Sequence, residues 1–326
     1  MSFIIDKFKN KVSTLPKHKS WLINHDIYKY EGFWYHQGFW FHSSASFSIE
    51  ITMALQEEFQ AQPTNILLAS HPKSGTTWLK ALAFAIANRT TLKNDTNSTL
   101  IHPLRTTIPH GCVPYIESES FFNNPCYSNE LISTHLPYTS LPKSIITSNC
   151  RIVYICRNPK DVFVSFWHFV NKTKGDNSPP LDLEASFESF RSGASPMGPC
   201  WDHVIGYRKA SLERPDKVLF LIYEDLKKDP KEEVKKLAKF MGYPFNEDEE
   251  GDKEIEEIIR LCSFEQLRKV SKENRPGAGA TPKVIPDDAF FRKGEAGDSV
   301  NHLTMEMIQI LDKITFEKYD SLDISF

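Results

Sequence analysis

The segment Asn65–Ala81, NILLASHPKSGTTWLKA, constrains the fold more than any other stretch of the chain. Ile66, Leu67 and Leu68 form an apolar run too short for a helix, and Ala69, Ser70, His71 and Pro72 close it. After the loop Lys73-Ser74-Gly75-Thr76-Thr77, the residues Trp78, Leu79, Leu82, Ala83 and Ile86 recur at helical spacing. The pattern predicts a buried strand, a tight polar loop and a helix that carries the loop on its N-terminus. A helix start leaves backbone N–H groups unpaired and bears partial positive charge, so it suits a phosphate or another tetrahedral anion. Gly75 lets the backbone approach such an anion, Lys73 supplies a full charge, and the hydroxyls of Ser74, Thr76 and Thr77 can donate further hydrogen bonds. The competing reading is local: Ser74 and Thr76 cap the helix and Lys73 is a solvated charge. Capping alone does not account for a lysine beside a glycine with two threonines directly after a buried strand.

The chain has 326 residues, 40% hydrophobic and 25% charged, which suits a globular α/β protein with a sizeable core. No segment approaches the apolar length of a membrane span, and the N-terminal MSFIIDKFKNKVSTLPKHK lacks the uninterrupted apolar core of a signal peptide. A net charge of −3 gives no global pull toward nucleic acid and leaves room only for a local basic pocket. Cys112, Cys126, Cys150, Cys156, Cys200 and Cys262 show neither CxxC pairs nor compact spacing, so reduced thiols in a cytoplasmic protein are expected, with no zinc site.

Along the chain, an aromatic cluster (Tyr30 to Tyr35, then Phe39-Trp40-Phe41) reads as an N-terminal arm, residues 1–60, packed over the core; the sharper alternative is that some rings line a ligand site. Thr90 to Thr99 reads as a loop, and Pro103 to Pro125 as an irregular stretch suited to substrate contacts. Glu130 to Pro137 predicts a short strand that delivers His135 at its end, where α/β sheets gather ligands. Arg151–Cys156 is a stronger strand that delivers Arg157; Asn158 caps the next helix, Pro159 starts it, and Ser165 lies two turns beyond Arg157. Arg157 could instead simply pair with Asp161. A third strand, Val218 to Tyr223, precedes a helix capped by Asp229 with Val234, Leu237, Ala238 and Met241 on one face. The acidic run Glu247 to Glu250 reads as solvated loop, followed by an amphipathic helix through Ile255, Ile258, Ile259 and Cys262. Asn274 to Pro282 is a Gly- and Pro-rich loop that leads to Arg292-Lys293-Gly294, and a last helix runs from about Met305 to Phe316. Strands interspersed with helices, without repeats, argue for a single domain, 1–326, on a parallel sheet.

Four motifs in this order, Pro72 to Trp78, Arg157 to Asp161, Tyr223-Glu224-Asp225 and Arg292 to Asp298, make the chain resemble the soluble sulfotransferases, plant-type branch. These enzymes move a sulfuryl group from 3′-phosphoadenosine 5′-phosphosulfate (PAPS) and release 3′-phosphoadenosine 5′-phosphate (PAP). The resemblance covers nearly the whole chain and implies a P-loop-like sulfotransferase fold, with a central parallel sheet of about five strands flanked by helices. It implies that Lys73, Ser74, Gly75, Thr76 and Thr77 hold the 5′-phosphosulfate, and that Trp78, Tyr223 and Phe264 contact the adenine. Arg157, Ser165, Arg292, Lys293 and Gly294 would hold the 3′-phosphate, inside a mobile lid and phosphate loop spanning 271–298. His135 matches the family's general base, and Phe169 a residue of the acceptor pocket.

On that reading His135 takes the proton of an acceptor hydroxyl, the oxyanion attacks sulfur in line with the leaving phosphate, and Lys73 neutralises the charge growing there. No metal is expected, because lysine, arginine and helix N–H groups carry the anion. ATP has no 3′-phosphate, so a site with both cation clusters should prefer PAPS. Three departures stand out. Ser133 occupies the place of a lysine common in animal members, which leaves more of the leaving-group stabilisation to Lys73. Cys262 stands where threonine is common near the adenine. Of the animal dimer motif, mapped to Val300, Thr304, Met305 and Gln309, only the threonine survives, so a monomer or weak dimer is implied. Acceptors of the plant-type branch are small hydroxylated molecules: flavonoids, steroids, hydroxyjasmonate or desulfoglucosinolates. Two other readings compete, a P-loop small-molecule kinase and a catalytically silent nucleotide-binding protein. The first needs a glycine-lysine pair that the loop lacks, and the second leaves Lys73 and His135 together without a reason.

Overall fold

The computed structural model describes residues 2–15, 33–42, 49–90, 102–123, 130–174, 178–273 and 285–326. The aromatics before Phe33, the polar loop 91–99, Cys126 and the Gly- and Pro-rich loop 274–282 lie outside the described residues.

Four strands form a wholly parallel sheet in the order β4-β3-β5-β6, where β3 is Ile66–Ser70, β4 Leu131–Thr134, β5 Arg151–Cys156 and β6 Val218–Ile222. The register pairs Ile66 with both Leu131 and Arg151, and Ile152 with Val218. About five strands were expected; the described residues contain these four. Strand β3 also runs on through Ala69 and Ser70, residues expected to close it.

Side chains alternate across a strand, and here both faces are covered, so the apolar residues of each strand are divided between two cores. Leu67, Ala69, Ile132, Ile152 and Tyr154 face one core, and Ile66, Leu68, Leu131, Val153 and Ile155 the other. The first core is closed by the helices Pro159–Thr173, Cys200–Glu213 and Met305–Tyr319, and the second by Thr76–Ala87, Pro230–Met241, Glu249–Leu261 and Phe264–Glu273.

A hairpin of β1 (Phe33–His36) and β2 (Phe39–His42) turns at Gln37-Gly38, both with positive φ, the conformation whose twist matches flanking strands. Phe39 and Phe41 are buried in the first core with Trp201 and Tyr207, which makes this part of the arm a packed layer. None of the described hairpin residues lines the large cavity below.

Two sequence expectations change. The acidic run is half helix: Asp248 accepts from Gly251 N at 2.9 Å as an N-cap, and Glu249, Glu250 and Asp252 fill the first turn, where negative charge is favoured. The stretch from Pro103 is also less irregular than its prolines suggest, with short helical turns at Pro103–Arg105, Pro109–Cys112 and Glu119–Asn123. Proline at the first position of a turn starts it without loss of a hydrogen bond.

Candidate active site

The chain reverses its winding direction beside β3, and in such sheets ligands bind at the carboxyl ends of the strands around that point. The loop after β3 and the helix start that follows it carry Lys73 to Thr77, and His135, Arg157 and Tyr223 directly follow β4, β5 and β6. A cavity of about 1170 Å³ opens there. Lys73, Gly75, Thr76, Thr77, Trp78, His135, Arg157, Ser165, Phe169, Tyr223, Phe264, Arg292, Lys293 and Gly294 all line it, as does Cys262. Ser74 does not line it; its side chain is buried, and its Oγ has no hydrogen-bond partner.

The capping reading of the first loop fails. The N-cap of the Thr76–Ala87 helix is Gly75, at φ 106°, and no side chain caps it. Thr76 Oγ1 instead lies 2.6 Å from Ser70 Oγ. A Cβ on residue 75 would stand 2.7 Å from the Tyr223 ring, so glycine is required both by φ and by the ring. Lys73 itself is left-handed at φ 69°, a conformation that costs a non-glycine residue about 1–3 kcal/mol and recurs at ligand clamps. Its Nζ lies 3.9 Å from the centroid of the Phe169 ring. Burial, then the nearby charges of Arg157 and Arg292, pull its pKa down to about 7.

His135 Nδ1 is 2.8 Å from Ser70 O. A carbonyl only accepts, so Nδ1 carries the proton and Nε2 keeps its lone pair. Burial pushes the imidazole's pKa down to about 3; the hydrogen bond to Ser70 opposes the shift, and Lys80, His203 and Lys73 add to it. The backbone N–H of His135 donates to Glu117 Oε1 at 2.5 Å, and its backbone oxygen is 3.0 Å from His203 Nε2.

A second cluster faces the first across the cavity. Arg157 does pair with Asp161, at 3.2 Å, but the same guanidinium also donates to Glu295 O at 2.5 Å and stacks over the Tyr223 ring. The ion-pair and binding-site readings of Arg157 are therefore compatible. Asp161 also accepts from Gly297 N and Ser299 N, at 2.6 and 2.9 Å, and ties the 292–299 segment to the start of the Pro159–Thr173 helix. Arg292, Lys293, Asn301 and His302 all reach the buried carboxylate of Asp298. Burial opposes ionisation of Asp298, yet the hydrogen bonds from Lys293, Asn301 and Arg292 hold its pKa far below the usual carboxylate range. At Gly294, φ 71°, a Cβ would stand 2.4 Å from the Phe264 ring.

The sulfotransferase domain family model matches residues 63–323. The chain belongs to the sulfotransferase family. A flavonol sulfotransferase-like protein of Flaveria bidentis is 45% identical, with 94% of this chain and 96% of the relative covered. Flavonol 4′-sulfotransferase of Flaveria chlorifolia is 44% identical over 94% of this chain and 93% of its own length, and cytosolic sulfotransferase 17 of Arabidopsis thaliana is 40% identical over 96% and 88%. Among solved structures, an Arabidopsis thaliana sulphotransferase superposes with a TM-score of 0.72 at 33% identity, covering 98% of this chain and 95% of that one. Mouse sulfotransferase SULT7A1, solved with PAP, gives 0.65 at 27% identity, with 89% and 96% covered. The protein is a plant-type sulfotransferase that uses PAPS as co-substrate, releases PAP and acts on a hydroxyl of a small molecule. Among the described residues no group of His, Cys, Asp or Glu is arranged to hold a metal ion, and no helix is long and apolar enough to cross a membrane.

Several residues of this sulfotransferase site escaped the sequence reading. His110 and Tyr115, from the stretch suited to substrate contacts, line the cavity; His110 Nε2 is 3.0 Å from Thr77 Oγ1, and the Tyr115 and His135 rings are 4.9 Å apart. Behind them Lys80 is fully buried, donating to Val113 O at 3.0 Å, with Nζ 3.3 Å above the Tyr115 ring. Helical spacing does not mark it, because Lys80 stands to the side of the apolar stripe Leu79-Ala83-Ile86. Ser133, in the place of the animal lysine, turns away and donates to Pro114 O at 2.8 Å.

Proposed function

We propose that this sulfotransferase holds PAPS between two cation clusters and transfers its sulfuryl group to the hydroxyl of a flat aromatic acceptor of flavonol type. His135 acts as general base and Lys73 as the cation at the leaving phosphate. The observation that carries this reading is that one cavity is lined by both clusters and by a histidine whose Nε2 is free to accept a proton. In the second cluster Arg157, which lines the cavity, has a buried Nε without a hydrogen-bond partner, as suits a residue that waits for an anionic group. When bound, PAPS supplies the sulfuryl group on a phosphate that departs as part of PAP.

In this reading Ser74, Gly75, Thr76 and Thr77 hold the 5′ end, and Trp78, Tyr223 and Phe264 border the adenine. Arg157, Ser165, Arg292, Lys293 and Gly294 hold the 3′-phosphate. The segment 271–298 serves as lid and phosphate loop, within a single domain spanning 1–326. His135 removes the acceptor proton as its oxygen attacks, and Lys73 neutralises the charge that grows on the departing oxygen. Calorimetry with PAP and adenosine 5′-monophosphate (AMP) tests the two-cluster clamp. PAP is expected to bind at least about ten-fold tighter, because charge-assisted hydrogen bonds are worth about 1.5–3 kcal/mol each. Equal affinities would overturn the clamp.

Flavonols are favoured over steroids, hydroxyjasmonate and desulfoglucosinolates by the aromatic wall that leads to His135. Phe169 and Phe290 lie 5.5 Å apart, Phe290 and His110 4.2 Å, and Tyr115 joins His110 to His135. Flat rings gain from such offset and tilted contacts beyond their buried area. With labelled PAPS, flavonols should be turned over faster than the other three classes, and a steroid preferred over every flavonol would reverse the assignment. The cytosolic relatives favour a cytoplasmic protein, and the lost dimer motif a monomer or weak dimer.

A further inference from the structure

The Pro159–Thr173 helix turns Ser165, His168 and Phe169 toward the cavity, at the spacing of one helical face. Neither half of the reading above uses His168. Its ring packs edge-on against His302 with centroids 4.7 Å apart, and His302 Nε2 is 3.2 Å from Asp298 Oδ2. That carboxylate also holds Arg292 and Lys293, at 2.5 and 2.6 Å, so His168 stands beside the two cations assigned to the 3′-phosphate. On its other side the ring meets Trp167 at 4.7 Å. His168 Nε2 is buried and has no hydrogen-bond partner, an arrangement that protein structures rarely leave unused.

The charged groups around the ring come from two directions. Arg292, Lys293, Asp298 and His302 face it from the 292–302 segment, and Lys172, paired with Asp288 at 3.0 Å, lies one turn further along its own helix. Without a ligand, burial first, then Arg292 and His302, favour the neutral imidazole, and Asp298 opposes them only in part. A dianionic phosphate reverses that balance, because it screens the cations and offers acceptor oxygens.

We infer that His168 is a further ligand of the nucleotide's 3′-phosphate, which it meets as an imidazolium after taking up one proton from solvent. The inference rests on the assignment of the 3′-phosphate to Arg157, Ser165, Arg292, Lys293 and Gly294. It implies that His168 contributes to the choice of a 3′-phosphorylated nucleotide and not to adenosine 5′-phosphates at large. It also fixes a sign. Affinity for PAP falls as pH rises through the pKa of the bound imidazolium.

Calorimetry with PAP and AMP, near pH 7 in two buffers of different ionisation heat, tests this on the wild type, His168→Phe and His168→Gln. Expected for His168→Phe is a loss of roughly ten-fold in PAP affinity with AMP affinity unchanged, the size of one charge-assisted hydrogen bond. Its proton uptake with PAP should fall below that of the wild type; the phosphate's own titration is common to both proteins and cancels. His168→Gln keeps an N–H donor but cannot titrate, so it should regain much of the affinity without the uptake; if the phenylalanine variant does not fold, this difference alone decides. Unchanged PAP affinity in His168→Phe, equal losses for PAP and AMP, or proton uptake equal to the wild type in the variants would each overturn the inference. A wild type that already binds PAP and AMP alike would instead overturn the two-cluster clamp and this inference with it.

Discussion

His135→Ala should reduce sulfuryl transfer by about 10²–10⁴-fold, the range of a positioned general base, while PAP binding stays largely intact. The separation follows from where the ring is fastened. Nδ1 donates to Ser70 O, the backbone N–H is held by Glu117, and neither contact involves the Arg157–Arg292–Lys293 cluster. Removing the ring therefore removes the proton acceptor and leaves the cations where they are. The pH behaviour sharpens the test. With the pKa of His135 pushed down to about 3, the ring is already neutral at pH 5, so wild-type kcat/KM for the acceptor should show no histidine limb near pH 6.5. Rates within a few-fold of wild type in the alanine variant would remove His135 as the base.

The sheet was legible because parallel strands buried on both faces are written as short β-branched runs, and Arg151–Cys156 and Val218–Ile222 have that form. The cavity lining was legible where a polar or charged side chain follows such a run, as with Lys73, His135, Arg157 and Tyr223. Less could be read where a side chain acts across the fold. Asp161 has the look of a first-turn helix residue, yet its carboxylate holds two amides more than 130 positions away. Glu117 sits in a proline-rich stretch with no periodicity, yet it is 1% exposed and fixes the backbone of His135. Burial raises its pKa to about 7, against the hydrogen bonds it accepts, which pull the other way. Asp298 stands at the end of the Arg292 motif, but nothing local marks it as the carboxylate on which Arg292 and Lys293 converge. Sequence spacing reports neighbours along a helix or strand, and these contacts are set by the packing of distant loops against one another. The rejected alternative, that Ser74 and Thr76 cap the helix, fails for a different reason. A serine or threonine before a helix is ordinarily its cap, but Gly75 in the left-handed region takes the cap position, Thr76 Oγ1 meets Ser70 Oγ instead, and Ser74 Oγ is left buried without a partner.

The pKa of Lys73, lowered to about 7, gives the second large effect, and its sign is fixed. The ammonium is charged below that pH and neutral above it, and an anion in the loop favours the charged form. PAPS binding should therefore take up a proton above pH 7, and kcat/KM for PAPS should fall as pH rises through about 7, since that ratio reports the ionisation of the free enzyme. Lys73→Met should lower kcat by about 10²–10³-fold, the usual effect of deleting one preorganised donor at a site of developing charge, and should abolish the decline above pH 7. Lys73→Arg separates charge from titration, because a guanidinium stays protonated throughout; it should show no decline up to pH 9 even where its different reach lowers the rate. The strained backbone at φ 69° and the contact of Nζ with Phe169 indicate why arginine should not match lysine. The ammonium must leave that ring to meet the departing oxygen, and a compact charge on a flexible stem makes that movement more readily than a planar fork. A wild-type profile that is flat from pH 6 to 9, or a methionine variant with near-normal kcat, would return Lys73 to the status of an anchor for the 5′-phosphate.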